Sequence, residues 1–354
     1  MGTRFWKYVA FSSEPLMAIM SNQTIDTEKF SDRLRRRGIR ADEGRVLVSK
    51  FRGSEQEKDF SVPANCAGFG RIHHFRRHQA LPWPSNPLPI DPACKTLGLG
   101  SLSEIDVQVF QNAICSWRCW YCFVDYELLS ADLRFAEFKT TDELLDLYGA
   151  ETYRPKVIDL SGGQPDLIPE WGYWFLEALA RRGMQKSVYV WSDDNLSNDY
   201  LWRYLDRKQI ARLAASPNYG RVGCFKGFDE RSFAFNTKAS PELFQRQFLL
   251  MRRLIDARFD VYGYATFTVP DDTNLKPHMA EFVDRLQEKV HPLFPLRTVP
   301  LRIQSFTPTA TRLGPEELKA LQYQEDAVIA WTEELRRRFS DDERQKDITA
   351  HLLE

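Results

Sequence analysis

Short apolar runs alternate with longer helical patterns along most of this 354-residue chain, from about residue 105 onward. Six of the runs are predicted strands, at 107–114, 157–161, 187–191, 222–225, 261–268 and 301–305. Helices are predicted at 141–148, 169–182, 198–215, 241–258, 277–290 and 315–339. Strand–helix units in series favour parallel strands joined by crossover helices. The expected fold class is therefore α/β, as a doubly wound sheet or an incomplete barrel.

The first hundred residues have a different pattern. They hold one strand-like run at 45–51 and a proline-rich stretch at 81–89 that excludes regular structure there. We therefore expect residues 1–100 to form an N-terminal extension packed on the repeat region. Residues 101–310 are the predicted core, and residues 311–354 are a predicted C-terminal helical segment.

Charge is spread unevenly along the chain. Residues 1–100 carry 16 Lys and Arg against 10 Asp and Glu, and five of the arginines lie within 33–40. A basic run of this kind can bind phosphates, although a solvated helix face is the simpler interpretation. No run approaches the roughly 18 apolar residues of a membrane span, and the N-terminal apolar stretch is too short for a secretory signal. We expect a cytoplasmic protein with no membrane partner.

Three of the six cysteines fall within one short segment, Cys115-Ser-Trp-Arg-Cys119-Trp-Tyr-Cys122. Thiolates are soft metal ligands and hold iron–sulfur clusters. Three of them can hold a four-iron cluster by three corners and leave the fourth iron open. The alternatives are one buried face of a helix, a disulfide and a Cys3His zinc site. Because residues 105–110 alternate like a strand, we expect the cysteines in the loop that follows it.

The Cys-x3-Cys-x2-Cys segment, with Tyr121 before its last cysteine, resembles the signature of the radical S-adenosylmethionine (SAM) enzymes. The resemblance implies a partial (β/α)6 barrel of the TIM type, with a [4Fe–4S] cluster on Cys115, Cys119 and Cys122. It also implies that the open iron chelates SAM. One electron would then cleave SAM to methionine and a 5′-deoxyadenosyl radical, which takes a hydrogen atom from the substrate.

Further segments resemble the pyruvate formate-lyase activating enzyme-like branch of this family, over about residues 105–310. They occur in the family order, at 161–165, 192–196, 223–230, 268–272 and 302–308. Each follows the C-terminal end of a predicted strand, which is the face where barrel enzymes place their chemistry.

The resemblance also implies roles for single residues. The implied cofactor-binding residues are Tyr121, Gly162, Gly163, Gln164, Asp193, Asn195, Lys226 and Val269. Lys226 is in addition the implied catalytic residue, through an ion pair with the SAM carboxylate. Gln164 stands where the family usually has a glutamate, and a neutral amide binds the SAM ammonium less strongly than a carboxylate does. Cys224 stands where the branch has an aspartate, so we expect no site for a hard cation.

The predicted function is that of a radical SAM enzyme with an unidentified substrate. Two alternatives keep this chemistry, namely an activase that installs a glycyl radical in a partner enzyme and an enzyme that modifies a nucleoside or nucleic acid. A third is a Cys3His zinc-stabilised module that binds nucleic acid. The other cysteines do not pair up as auxiliary-cluster ligands do. We therefore expect an external flavodoxin or ferredoxin as the electron donor.

Overall fold

The computed structural model describes residues 24–80, 85–271 and 273–353. The N-terminal stretch tested for a signal sequence, four residues of the proline-rich segment (81–84) and Asp272 lie outside the described residues.

A large mixed sheet forms the centre of the described structure. Its strands are β3 (Gly70–Arg76), β4 (Glu104–Phe110), β6 (Val157–Leu160), β7 (Tyr189–Asp194), β8 (Tyr219–Phe225), β9 (Val261–Thr266) and β10 (Thr298–Leu301). The spatial order is β10-β9-β8-β7-β6-β4-β3, with β3 antiparallel to β4 and every other pair parallel. The sheet is an open half-barrel, because its edge strands β3 and β10 do not pair with each other in the described part of the chain.

The helices that follow the parallel strands cover one face of this sheet. They are α3 (Thr141–Ala150), α4 (Glu170–Arg181), α5 (Tyr200–Tyr204), α6 (Arg207–Ala214), α7 (Glu230–Thr237), α8 (Leu243–Asp256), α9 (Leu275–Arg285) and α10 (Pro315–Arg338). The chain ends in a short helix, α11 (Asp341–Gln345). This order confirms the prediction of an α/β fold with parallel strands in chain order.

The opposite face, called the inner face below, carries Val109, Trp191 and Tyr264. It is covered by α2 (Ile90–Leu97), whose Ile90 is fully buried in the same apolar cluster. The Tyr264 hydroxyl donates to the Leu88 carbonyl oxygen at 2.8 Å, which fastens the segment before α2 to the sheet. One half of the inner face is therefore filled by the chain itself.

The N-terminal part also builds a second, smaller sheet. Its strands are β1 (Ile39–Arg40), β2 (Arg45–Ser49) and β5 (Ala136–Thr140), all antiparallel. The first helix, α1 (Thr27–Gly38), is tied to the core by the guanidinium of Arg35, which donates to Leu167 O at 2.8 Å and to the Glu170 carboxylate at 3.0 Å. Residues of the first hundred thus enter both sheets.

Two predicted elements are corrected. The last strand is Thr298–Leu301 and not 301–305, because the residues after Leu301 leave the sheet. The helix predicted at 198–215 is two helices, α5 and α6, because Leu205 is extended and Asp206 starts α6 with a capping box. Strands β3 and β5 and helix α7 were not predicted. Across the described residues, no helix is long and apolar enough to cross a membrane.

Candidate functional site

The three clustered cysteines lie on a loop that follows β4, as predicted. Residues 111–125 contain no helix, so the interpretation of the cysteines as one helix face is wrong. All six cysteines are free thiols, which also excludes a disulfide in this structure. Cys115 and Cys119 are buried and Cys122 is half-buried. The loop is fixed by backbone hydrogen bonds from Cys115 N to Leu129 O at 3.2 Å and from Cys122 N to Cys119 O at 3.0 Å.

Two arginines hold the backbone of the cysteine loop from either side. Arg118 donates to the carbonyl of Cys115 at 2.5 Å, and Arg312 donates to the carbonyl of Cys122 at 2.7 Å. The ring of Tyr126 lies between them, 5.5 Å from the Arg118 guanidinium carbon and 3.6 Å from that of Arg312. Two positive charges therefore flank the thiols, and both can stabilise negative charge that develops there.

Burial keeps the free thiols protonated. It raises the pKa of Cys115 to about 12 and that of Cys119 to about 11. A metal must therefore displace protons from both thiols as it binds. The amide of Asn195 donates to the Cys115 sulfur at 3.7 Å, a contact that stabilises the sulfur as an anion.

Gly162 and Gly163 follow β6 and lie against the stem of the cysteine loop. A Cβ on Gly162, whose φ is +80°, would be 2.5 Å from the Gln111 amide oxygen. A Cβ on Gly163 would be 1.9 Å from Asn112 Oδ1 and 2.1 Å from Asn112 O. Protein atoms therefore already explain the absence of side chains here, because the two loops could not otherwise approach so closely.

Gln164 is fully buried, and its amide joins three loops. Its oxygen accepts from Ser116 N at 2.8 Å and from Ser116 Oγ at 2.9 Å, inside the cysteine loop. Its nitrogen donates to Asp166 Oδ2 at 3.1 Å and to Ser197 Oγ at 2.6 Å. An amide can donate and accept at once, whereas the glutamate usual in the resembling family can only accept when ionised. In this structure Gln164 supports the cysteine loop with its whole amide.

Asp166 continues this network behind the loop. Its carboxylate accepts from Asn195 N at 3.2 Å and from Asn198 Nδ2 at 2.7 Å. Burial and the nearby Asp194 raise the pKa of Asp166 to about 7. Asp194 itself forms a buried ion pair with Arg221 at 2.6 Å. The loops after β6 and β7 are thus bonded to each other through buried polar side chains.

Lys226 and Asp193 lie on the side of the sheet that faces the cysteine loop. Burial alone lowers the pKa of Lys226, but the neighbouring Cys224 and Tyr121 outweigh it and raise the pKa well above its usual value. Burial raises the pKa of Asp193 to about 6, although the charge of Lys226 opposes this. Near neutral pH the site therefore holds a buried ammonium and a largely ionised carboxylate.

The sequence analysis missed Asn236 on α7, whose buried amide connects several segments through hydrogen bonds, as the Gln164 amide does. Its amide oxygen accepts from Trp120 Nε1 at 3.0 Å and from Thr268 Oγ1 at 2.7 Å. Its amide nitrogen donates to Lys226 O at 2.9 Å and to Thr268 O at 3.1 Å. Val269, the residue after Thr268, is also buried. A polar residue inside the aromatic segment Phe233-Ala-Phe-Asn-Thr was the available signal, since buried amides need partners.

Most of the predicted site residues occur on adjoining loops at one edge of the sheet. Tyr121 reaches β9, where its hydroxyl lies 3.2 Å from Thr266 Oγ1. Within the described ranges, no three His, Cys, Asp or Glu side chains converge to hold a single metal ion. In a four-iron cluster each thiolate binds a different iron, so the thiols need not share one ion. Free thiols on one loop, beside an amide donor and two arginines, fit such a cluster.

No protein-family model matches the chain, and no curated protein matches it either. Crystal structures of Streptococcus suis SuiB show partial similarity. SuiB bound to S-adenosylmethionine is 16% identical with a TM-score of 0.46, over 66% of this chain and 48% of that chain. SuiB bound to precursor peptide SuiA is 15% identical with a TM-score of 0.37, over 52% of this chain and 36% of that chain. This chain spans less than half the length of the SuiB chains it matches.

Proposed function

We propose that this chain is a radical SAM enzyme. The observation that supports this most is the cysteine loop itself. It presents three free thiols at the C-terminal edge of successive parallel strands, outside any helix. Active sites of α/β barrels lie at this edge, because the loops of many strands meet there.

Cys115, Cys119 and Cys122 would hold a [4Fe–4S] cluster, one thiolate to each of three irons. When bound, such a cluster supplies the electron that cleaves SAM into methionine and a 5′-deoxyadenosyl radical. The protein's part is to exclude water and to keep the loop in one conformation. The buried rings of Trp117 and Trp120 serve the first purpose, and Gln164 serves the second.

The charged groups beside the loop suit a zwitterionic cofactor. We assign the ammonium of Lys226 to the carboxylate of SAM and the carboxylate of Asp193 to its ammonium. Near neutral pH Lys226 is charged, and Asp193 is largely ionised although burial raises its pKa to about 6. Gly162, Gly163, Asn195, Tyr121 and Val269 keep their proposed places around the cofactor. For Gln164 we propose an indirect role through the cysteine loop, because its amide is already fully bonded.

The electron is proposed to come from an external flavodoxin or ferredoxin. The resemblance to the pyruvate formate-lyase activating enzyme-like branch leaves three substrate classes: a partner protein that receives a glycyl radical, a small molecule or peptide, and a nucleoside or nucleic acid. Deuterium transfer into 5′-deoxyadenosine distinguishes them, because only the true substrate class, supplied in deuterated form, labels that product.

Metal content tests the proposal and its zinc alternative together. Anaerobically reconstituted protein should contain about four irons per chain, bound by cysteine. Cys119→Ala should lose that iron, whereas Cys94→Ala, which removes a buried thiol outside the loop, should retain it. Stoichiometric zinc without iron in the wild-type chain would replace the enzyme proposal with the zinc-stabilised module.

A further inference from the structure

Arg71 is a buried cation whose side chain has no hydrogen-bond partner among the described residues. It lies on β3 opposite Val109, so its side chain is on the inner face of the large sheet. Its relative exposure is 6%. Within the described residues, its side chain makes no hydrogen bond or ion pair, and its Nε atom is fully buried and unpaired. Leaving this N–H donor unpaired and away from water is costly.

The described groups around Arg71 accept no hydrogen bond from its guanidinium. The rings of Phe60 and Phe123 lie 5.6 and 5.1 Å from its guanidinium carbon. Asp159 and Asp193 attract it across the inner face, yet neither forms an ion pair with it. Burial outweighs their attraction and lowers the pKa of Arg71 to about 10. The folded protein therefore holds this charge at a net cost.

Asp159 on β6 has a buried acceptor atom without a partner among the described residues, whereas Arg71 has a buried donor without one. The strand register aligns it with Val109, and thus with Arg71, across the sheet. One carboxyl oxygen accepts from Ser161 Oγ at 2.9 Å, while the other, Oδ1, is buried with no partner. An anion receptor and an unpaired acceptor therefore face the same region of the inner face.

This region lies next to the cysteine loop. Phe123, which packs over Arg71, follows Cys122 directly in the chain. On the other side, the apolar cluster around α2 fills the other half of the inner face. A group bound to Arg71 would therefore lie between that apolar cluster and the cysteines.

We propose that Arg71 and Asp159 form the receptor for the substrate, which carries a carboxylate and a neighbouring hydrogen-bond donor, as an amino acid or a peptide C-terminus does. The proposal rests on the proposed function for the meaning of substrate. The guanidinium takes the carboxylate in a two-fold contact, and Asp159 Oδ1 accepts from the N–H beside it. Burial and the nearby Asp193 raise the pKa of Asp159 well above its usual value, so its carboxyl offers an acceptor without adding a second negative charge. A phosphate dianion fits less well than a carboxylate, because its extra negative charge would lie close to Asp193.

Entry to the receptor requires the open side of the half-barrel. There the segment Glu55–Asp59 meets the segment Thr307–Arg312, through bonds from Thr307 N and Thr307 Oγ1 to the Asp59 carboxylate at 2.9 and 2.8 Å. Phe60 follows Asp59 in the chain and packs over Arg71. The contact between the two segments therefore lies next to one of the two rings that cover Arg71.

The receptor is tested by ligand-induced stabilisation of the purified protein, with the iron content of each preparation recorded. The probes are glycine for a free amino acid, N-acetylglycine for a peptide C-terminus, SAM, and sodium phosphate and chloride at matched ionic strength. Glycine or N-acetylglycine should raise the wild-type melting temperature more than phosphate or chloride does. In Arg71→Met and Arg71→Lys the apparent affinity should fall about tenfold or more, since a charge-assisted contact is lost or reduced to a point charge.

The control is Arg76→Met, which removes a half-exposed arginine from the same strand and should leave the effect unchanged. Without any ligand, Arg71→Met should melt no lower than the wild type, because it removes an unpaired buried charge. No carboxylate-dependent rise in the wild type would overturn the receptor, and so would an equal rise in both Arg71 variants. Stabilisation by SAM alone, lost with Arg71, would overturn the substrate assignment. The outcomes with glycine and N-acetylglycine do not require the cluster, so they are separable from failure of the enzyme proposal.

Discussion

At the scale of single residues, buried amides hold the candidate site together. Gln164 and Asn236 each use both the donor and the acceptor of one side chain, and each connects the cysteine loop to other loops. A carboxylate or an apolar residue of similar size could satisfy only part of these bonds. The amide nitrogen of Gln164 supplies a donor to the neighbouring Asp166, which explains a glutamine where the family that the sequence resembles usually has a glutamate.

The variant Gln164→Glu tests this explanation. It replaces the donor to Asp166 with a second carboxylate oxygen, and the pKa of Asp166 is already raised to about 7. The paired acids would have folded-state pKa values above their unfolded ones. Their cost is small at low pH and grows as the pH rises towards the folded values. We expect urea unfolding to show a loss of about 1–3 kcal/mol at about pH 8, and a smaller loss at about pH 5.

The matched control for this variant is Gln209→Glu. Gln209 accepts a backbone N–H in the capping box of α6, a position where glutamate serves equally well. Its free energy of unfolding should change little at either pH. An equal loss for Gln164→Glu at both pH values would contradict the carboxylate-pair explanation.

Gly163→Ala tests the close approach of the two loops. The new Cβ would lie 1.9 Å from Asn112 Oδ1 and 2.1 Å from its carbonyl oxygen, so backbone must move. We expect the free energy of unfolding to fall by about 1–3 kcal/mol. Gly149→Ala is the control, because its Cβ meets nothing within 4 Å inside α3. It should gain about 0.5–1 kcal/mol from helix propensity. A neutral Gly163→Ala would show that the loops are not packed as described.

At the scale of elements, the hydrophobic pattern predicted which segments form strands more reliably than it predicted where each strand begins and ends. The run at 157–161 and the run at 261–268 both became strands of the sheet, because β-branched and aromatic residues there are buried on both faces. Strand β3, with two histidines and two arginines, lacks that pattern and was missed. The break between α5 and α6 could have been predicted from the sequence, since Asp206 and Gln209 have the spacing of a capping box.

The contact between Asp59 and Thr307 gives a prediction at this scale. Asp59→Ala removes two hydrogen bonds to a carboxylate, each of which contributes about 1.5–3 kcal/mol at most. Hydrogen exchange should accelerate most at residues 307–312, because both segments are short and open locally, and the global free energy of unfolding should fall by no more than the two bonds contribute. Glu55→Ala, which breaks an exposed ion pair with Lys58, should leave that exchange unchanged. Unchanged exchange in Asp59→Ala would show that this contact does not hold the two segments together.

At the scale of the whole molecule, the sequence predicted the parallel order of the strands and the position of the cysteine loop, because both depend on local pattern. It did not predict what fills the inner face. The Tyr264 hydroxyl bonds to the Leu88 carbonyl oxygen across 176 residues of chain, and no local pattern records such a contact. The same holds for Arg71, which appeared as one more basic residue of the N-terminal extension and is in fact buried beside Asp159.

The central claim is that the cysteine loop supports reductive cleavage of SAM. The most direct measurement incubates the anaerobically reconstituted chain with SAM and dithionite, and quantifies 5′-deoxyadenosine and methionine by mass spectrometry. The account predicts that both form in equal amounts, and that neither forms with Cys119→Ala. A wild-type chain that carries its full complement of about four irons and yet yields no 5′-deoxyadenosine would contradict it.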